Sequence, residues 1–184
     1  MSLFSLFTFH FSLLFFSCQS DFYRIDGYAR DFAEGDTICL VEDDGRQQMT
    51  TVENGKFGFA GHTDQVRFAR TYVKHDPESQ AEFFIEAGLI AVELHRYPEQ
   101  SRVSGTRINN SWQQLADSVE LLSKGIFHII NHPATTTEDQ ARNARTVDSL
   151  HRRMSDCILH AAQRNRGNPL GRYIDENYKA PEFK

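Results

Sequence analysis

The chain has 184 residues, room for one domain or two small ones. With 40% apolar and 24% charged residues it has enough material for a buried core, and a net charge of −5 leaves no basic footprint for nucleic acid. The charge is uneven: residues 18–106 carry 9 Lys/Arg against 16 Asp/Glu, residues 107–134 balance at 2 against 2, and residues 135–184 carry 9 against 7. An acidic front half and a mildly basic tail point to two differently built regions.

Met1 to Ser17 holds no Lys, Arg, Asp or Glu and carries Phe at positions 4, 7, 9, 11, 15 and 16. A bilayer span needs about 20 apolar residues. This run is shorter and is broken by Ser2, Ser5, Thr8, His10 and Ser12, so it fits the apolar core of a secretory signal. Its end, Leu14-Phe15-Phe16-Ser17-Cys18, resembles a bacterial lipobox, in which the Cys becomes diacylated. Ser17 and Cys18 match; Phe15, Phe16 and the missing Lys or Arg after Met1 depart from the pattern. The expectation is a signal peptide over residues 1–17 and lipid attachment at Cys18. The alternative is a buried N-terminal strand or helix with an incidental Cys. The other two cysteines, Cys39 and Cys157, form no CxxC and read as small hydrophobes.

From Phe22 onward the pattern alternates with period two. Phe22–Ala29 and Thr37–Val41 are predicted strands, linked by the turn around Ala33-Glu34-Gly35-Asp36. Gln48–Val52 is predicted to pair with Lys56–Ala60 across Glu53-Asn54-Gly55, because Asn-Gly between alternating runs is a strong hairpin signal. Phe57 and Phe59 then share one face, with Lys56 and Gly58 on the other. Val66–Val73, Ala81–Glu86 and Leu89–His95 are further strands. Asp76-Pro77-Glu78-Ser79 is a loop, Glu86-Ala87-Gly88 a tight link, and Arg102–Gly105 a short edge strand. No helix-length pattern interrupts them, so parallel βαβ units are not expected.

At Ile108 the period changes. Ile108, Trp112, Leu115, Val119, Leu122, Ile126 and Ile129 fall at spacings of three and four, one apolar stripe on a helix. Asn109 or Asn110 can cap its start and Asn131-His132-Pro133 stops it. Thr135 and Glu138 stand at capping-box spacing before a second stripe of Val147, Leu150, Met154, Ile158 and Ala161. Asn168-Pro169 starts a third, short helix with Leu170, Tyr173 and Ile174 on its apolar face.

The fold class expected is therefore α+β: an N-terminal antiparallel β-sandwich of about seven or eight strands over residues 18–106, then a helical region over 107–184. Four stretches, in this order, resemble one family: "YRIDGYARDFAEGDTICL", "VENGKFGFAG", "RVSGTRIN" and "NRGNPLGRYI". The family is domain of unknown function 4369, the β-rich N-terminal domain of lipid-anchored thioredoxin-like or peroxiredoxin-like proteins of Gram-negative bacteria. The resemblance implies an extracytoplasmic, envelope location. A thioredoxin-like part, often bearing a CxxC, usually follows in such relatives; this sequence ends at Lys184 without one, so their redox activity finds no residues to be carried onto.

The remaining candidate chemistry is sparse. His128 and His132 stand four apart on a helix, but a zinc site needs three or four ligands, and the pair reads as helix-end histidines. His151 and His160 flank Cys157 on one helix; a buried, inert thiol is the expectation. Asp148, Ser149 and His151 are sequence neighbours and diverge around a helix, whereas a triad needs convergence. Arg142, Arg145, Arg152, Arg153, Arg164 and Arg166, interleaved with Asp139, Asp148 and Asp156, read as a solvated face, with a protein partner surface as the lesser alternative. Phe57, Phe59, Phe68, Tyr72, Phe83 and Phe84 read as core; adjacent Phe83 and Phe84 cannot share a face, which is the one hint of a binding surface. The function expected is a non-catalytic lipid-anchored envelope binding or spacer module, with no catalytic residue, metal or cofactor; its partners would be the membrane, through the lipid, and an envelope protein, with no nucleic acid. The alternative is the front portion of an extracytoplasmic thiol–disulfide oxidoreductase. A third class is an enzyme built around His128, His132 or Cys157.

Overall fold

The computed structural model describes residues 21–178. Met1–Ser17, expected to be a signal peptide, and Cys18, the expected lipid attachment site, lie outside the described residues.

Eight strands run β1 Phe22–Tyr28, β2 Thr37–Glu42, β3 Gln47–Thr51, β4 Lys56–His62, β5 Arg67–Val73, β6 Asp76–Ile85, β7 Gly88–Glu93 and β8 Arg102–Ser104, with a 3₁₀ turn at Pro98–Gln100. Three helices follow: α1 Arg107–Asn131, α2 Thr137–Arg164 and α3 Pro169–Asn177. The strands form two four-stranded sheets, ordered β4-β1-β7-β8 and β3-β2-β5-β6. The protein is α+β, a sandwich followed by helices.

Alternation builds the interior. Tyr23 and Ile25 of β1, Phe57 and Phe59 of β4, and Ile90 and Val92 of β7 turn inward from one sheet; Ile38 and Leu40 of β2, Ala69 and Val73 of β5, and Phe83 and Ile85 of β6 turn inward from the other. Ile25, Ile38, Leu40, Phe83, Ile85 and Ile90 are fully buried. Burying each such side chain contributes about 1.5–3 kcal/mol.

Three expectations about the sheets change. First, β3 and β4 do not form an extended hairpin. Asn54 and Gly55 do make the tight turn, with φ of 53° and 68°, and Glu53 and Lys56 exchange both backbone hydrogen bonds at 2.8 and 3.1 Å. Past that single bridge the strands part: β3 pairs with β2, and β4 with β1. Phe57 and Phe59 belong to one inner face while Val52, fully enclosed, closes the other end of the turn. Second, Asp76–Ser79 is not a loop. The turn is Lys74-His75, and β6 starts at Asp76, whose partner is Val73. The next pair is Tyr72 with Gln80, so Pro77-Glu78-Ser79 form a bulge in which Pro77 and Glu78 are exposed and Ser79 is buried, its hydroxyl donating to the Asp76 carbonyl at 2.6 Å. Proline is tolerated because β6 is an edge strand and the bulge asks no ladder hydrogen bond of it. Third, β1 and β7 pair in parallel. No helix makes that crossover; the chain between them adds β4 to the same sheet and builds the whole of the second. The other pairings among the described residues are antiparallel.

Both turn residues sit in the left-handed region, which a β-branched residue resists. Gly55→Val is therefore expected to cost about 1–2 kcal/mol, the left-handed penalty alone, since a Cβ there meets only ordinary contacts with Arg30. Equilibrium denaturation of the variant checks it; an unchanged midpoint would contradict the turn's role.

The helices cover the β6 edge and the outer face of β5 and β6. Neither Asn109 nor Asn110 caps α1. Its N-cap is Thr106, and the Glu86 carboxylate accepts from the Ile108 N–H at 2.9 Å, closing the orphaned first turn from the neighbouring strand end. The α2 cap is shifted by one residue from the expected box: Thr136 accepts from the Asp139 N–H and donates to the Asp139 carboxylate at 2.8 Å. For α3, Asn168 caps and Pro169 opens the helix as expected. Ile108, Trp112, Leu115, Ile158, Ala161, Leu170 and Ile174 extend the sandwich core outward through the helices as one cluster.

Candidate functional site

Phe83 and Phe84 have separate fates. Phe83 lies inside the sandwich; Phe84 faces outward and is buried under the helices. It sits opposite Phe68 across the β5–β6 ladder, and the two rings meet edge to face at 5.5 Å. Trp112 from α1 approaches Phe84 at 6.0 Å, and Tyr173 from α3 stacks on Phe68 at 4.3 Å. Tyr178, just past α3, stands 6.2 Å from Trp112. Phe84 is thus at the base of an aromatic cluster, and neither Phe83 nor Phe84 offers an exposed surface.

Beside this cluster is a cavity of about 290 Å³. Its floor is Gln80 and Glu82 of β6. One wall is Trp112, Leu115, Ala116 and Val119 of α1; the other is the segment from Pro98 to Val103; Tyr178 stands at the rim. The indole is fixed: Trp112 Nε1 donates to the Glu82 carbonyl at 2.9 Å. Gln113 turns away to accept from the Val103 N–H at 2.7 Å, tying α1 to β8.

The electrostatics of the cavity are unbalanced. Its one arginine, Arg102, already faces Glu120 at 3.4 Å and Asp117 at 3.6 Å and donates to the carbonyls of Glu99 and Ser101. Glu120 is also paired with Lys124. Glu82 is half-buried, and among the described residues its carboxylate has no hydrogen bond or salt bridge. Its cross-strand neighbour Arg70 lies instead over the Tyr72 ring at 5.7 Å. Burial pushes the Glu82 carboxyl up from its usual range against the pull of Arg70. Burial, and then the Glu82 charge, push the Tyr173 and Tyr178 hydroxyls up as well, so both phenols stay neutral at physiological pH.

A second polar group, Glu42, Asp44, Arg46, Asp64 and Arg67, closes one end of the sandwich. Arg46 donates to buried Glu42 at 2.7 Å and to Asp44 at 2.9 Å, and Arg67 pairs with Asp64. These charges answer one another, which makes the group structural.

The structure disperses the other sequence candidates. His128 and His132 lie exposed at the end of α1 with rings 4.4 Å apart, and His132 Nδ1 is 2.9 Å from the His128 carbonyl. Among the described residues no group of three potential metal ligands forms. Cys39 is buried in β2; Cys157 is only half-buried on α2, less enclosed than its place beside the apolar stripe suggests, and both are free thiols. Asp148 and Ser149 are exposed at successive positions on α2. The arginines of the tail are exposed; Arg142 pairs with Asp139 at 2.7 Å, and Arg145 and Arg152 reach back to carbonyls of their own helix.

Comparison with known families gives one match: residues 23–112 fit the family described as Domain of unknown function (DUF4369). This segment belongs to the DUF4369 family. No curated protein matches the chain. The DUF4369 unit runs from Tyr23 in β1 to Trp112 in α1, so it takes in all eight strands and ends on the indole of the cavity wall. The floor and the wall from Pro98 to Val103 come from the DUF4369 unit, while Leu115, Ala116, Val119 and Tyr178 come from the helices beyond it.

Of the cavity residues, Trp112, Leu115 and Val119 are visible in the sequence as parts of a helical stripe. Glu82 and Tyr178 were not singled out. A signal existed: Phe83-Phe84-Ile85 breaks the alternation of β6, so the outward face of that strand has to be covered by something.

Proposed function

We propose that this chain is a lipid-anchored binding module of the Gram-negative cell envelope, without catalysis of its own. The observation that carries the binding role is the cavity between β6, α1 and the Pro98–Val103 segment. It is lined by rings, aliphatic side chains and a carboxylate, Glu82, without a hydrogen bond or salt bridge among the described residues, which is the make-up of a small-ligand site. The envelope role is supported by the uncharged, Phe-rich Met1–Ser17 run ending at Ser17-Cys18. In this reading Cys18 carries diacylglycerol and the membrane is the first partner; an envelope protein is the second. The thiol geometry adds nothing to the oxidoreductase alternative, since Cys39 and Cys157 lie on different elements, one of them buried.

Two acyl chains give stable anchoring where one gives only marginal binding. The wild type is expected in the membrane fraction, and Cys18→Ala as a soluble product or an uncleaved, unacylated precursor. Cys39→Ala and Cys157→Ala should remain membrane-bound. Fractionation with mass spectrometry of the N-terminal peptide decides it: an unmodified Cys18 in a chain still starting at Met1 would overturn the anchor.

A further inference from the structure

We propose that the cavity between β6 and α1 binds a small alkylammonium group, with Glu82 as its counter-ion and the Trp112 and Tyr178 rings beside the charge. This deepens the binding role proposed above and rests on it, but it does not depend on the lipid anchor.

Charge is the first argument. Among the residues lining the cavity, three are acidic, Glu82, Glu99 and Glu120, and one is basic, Arg102. Arg102 is held by Glu120 and Asp117. The site is left with a carboxylate, Glu82, that has no hydrogen bond or salt bridge among the described residues and feels Arg70 only through its charge. A half-buried carboxylate without a hydrogen-bonded partner gains most from a cation that arrives with its own charge-assisted hydrogen bonds.

The aromatic lining is the second. Trp and Tyr faces attract cations through their ring quadrupoles, Trp most strongly. The Trp112 ring is immobilised by its hydrogen bond to the Glu82 carbonyl and by Phe84 and Tyr173 packed around it. That fixed ring, its N–H already spent on the Glu82 carbonyl, and the neutral Tyr178 ring present faces that attract a cation.

The third is shape. A cavity of about 290 Å³ is at the small end for ligand sites. Leu115, Ala116, Val119 and Pro98 supply an apolar side along which an alkyl stem can lie. The same chemistry is presented by a free amine and by a lysine side chain, and the two are separated by the probes.

Trp112 is the chain's single tryptophan, so its emission reports directly on the cavity. The full chain is titrated, at constant ionic strength, with pentylammonium chloride, pentanol, sodium pentanoate and the tripeptide Gly-Lys-Gly. Pentylammonium is expected to give a saturable change with Kd on the order of 1 mM, as a ligand of so few atoms allows. Pentanol and pentanoate should give none. Saturation by pentylammonium alone assigns the site to free amines; saturation by the tripeptide as well assigns it to lysine side chains. Glu82→Gln should weaken binding about tenfold, and Tyr178→Leu severalfold. Glu82→Gln is expected to fold. A carboxyl whose folded pKa is raised above its ordinary 4.5 loses stability as pH climbs from that value through the raised one, so at neutral pH the neutral amide relieves a cost. Pentanol binding as well as pentylammonium, or undiminished binding by folded Glu82→Gln, would overturn the assignment. So would a response that never saturates. Membrane fractionation of the Cys18 variants reads the anchor separately: loss of ammonium binding with anchoring intact removes this ligand and leaves the envelope role standing.

Discussion

Asn109→Leu is expected to destabilise the protein by about 3–5 kcal/mol, far beyond an ordinary surface change. Asn109 is fully buried in the first turn of α1. Its side-chain oxygen accepts from the Phe84 N–H at 2.8 Å, and its side-chain nitrogen donates to the Phe84 carbonyl at 2.8 Å. The same nitrogen donates to the Thr106 hydroxyl at 2.8 Å. β6 is the edge of its sheet, so Phe84 has no further strand to bond outward to. One carboxamide takes that strand's place. Leucine of similar volume keeps the packing and leaves a buried N–H and a buried carbonyl unsatisfied, each costing about 1–3 kcal/mol. In a chain of this size that lowers the melting temperature by on the order of 10 °C. Asn110→Ala is the control. Asn110 is exposed and accepts only from the Gly105 N–H at 3.1 Å, so about 1 kcal/mol is expected. Equal effects at the two positions would refute the bridging role of Asn109.

The contrast between Asn109 and Asn110 also shows how far a one-dimensional reading reaches. Adjacent asparagines before an apolar stripe look like interchangeable caps. Which one is buried depends on where β6 lies, and that is a long-range fact. Local signals survived well: the Asn54-Gly55 turn, the inward Phe57 and Phe59, the 3.6-residue stripe from Ile108 and the Asn168-Pro169 helix start each depend on a few neighbouring residues. What failed was pairing. A tight turn fixes the direction of the chain for one bridge, but β3 and β4 take longer ladders elsewhere, β3 with β2 over five residue pairs and β4 with β1 over seven. The parallel β1–β7 pair has no local signature at all, since five strands lie between the partners in the chain. Pro77 reads as a loop residue because proline cannot donate to a ladder, and only a bulged edge strand makes it admissible. The cavity was least legible. Its lining is gathered from a strand, a connecting segment, a helix and the residue after the last helix, and Glu82 is distinguished by a hydrogen bond or salt bridge it lacks among the described residues.

The corner between α2 and α3 sets the last expectation: Gly171→Ala should cost about 3 kcal/mol, the upper end of what overpacking usually costs, and disturb the cavity as well. Gly171 is buried in the first turn of α3, and a Cβ there would fall 2.3 Å from the Asn165 carbonyl oxygen and 2.7 Å from its carbon. The obstacle is backbone and is itself held. The Asn165 N–H and its side-chain amide both donate to the Ala161 carbonyl, and the Asn165 carbonyl accepts from the Asn168 N–H at 3.0 Å. The corner cannot yield without undoing the end of α2, so α3 has to move. With it go Tyr173, stacked on Phe68 at 4.3 Å, and Tyr178 at the rim of the cavity. Trp112, 5.6 Å from Tyr173, should then show red-shifted emission and easier quenching as water reaches it. Gly167→Ala separates strain from displacement. Gly167 has φ +88° with nothing within 4 Å of a Cβ, so alanine there carries only the left-handed penalty of about 1 kcal/mol. It should lower the denaturation midpoint slightly and leave Trp112 emission unchanged. If Gly171→Ala lost stability but kept native emission and native ammonium affinity, α3 would not be what holds the tyrosines against the cavity.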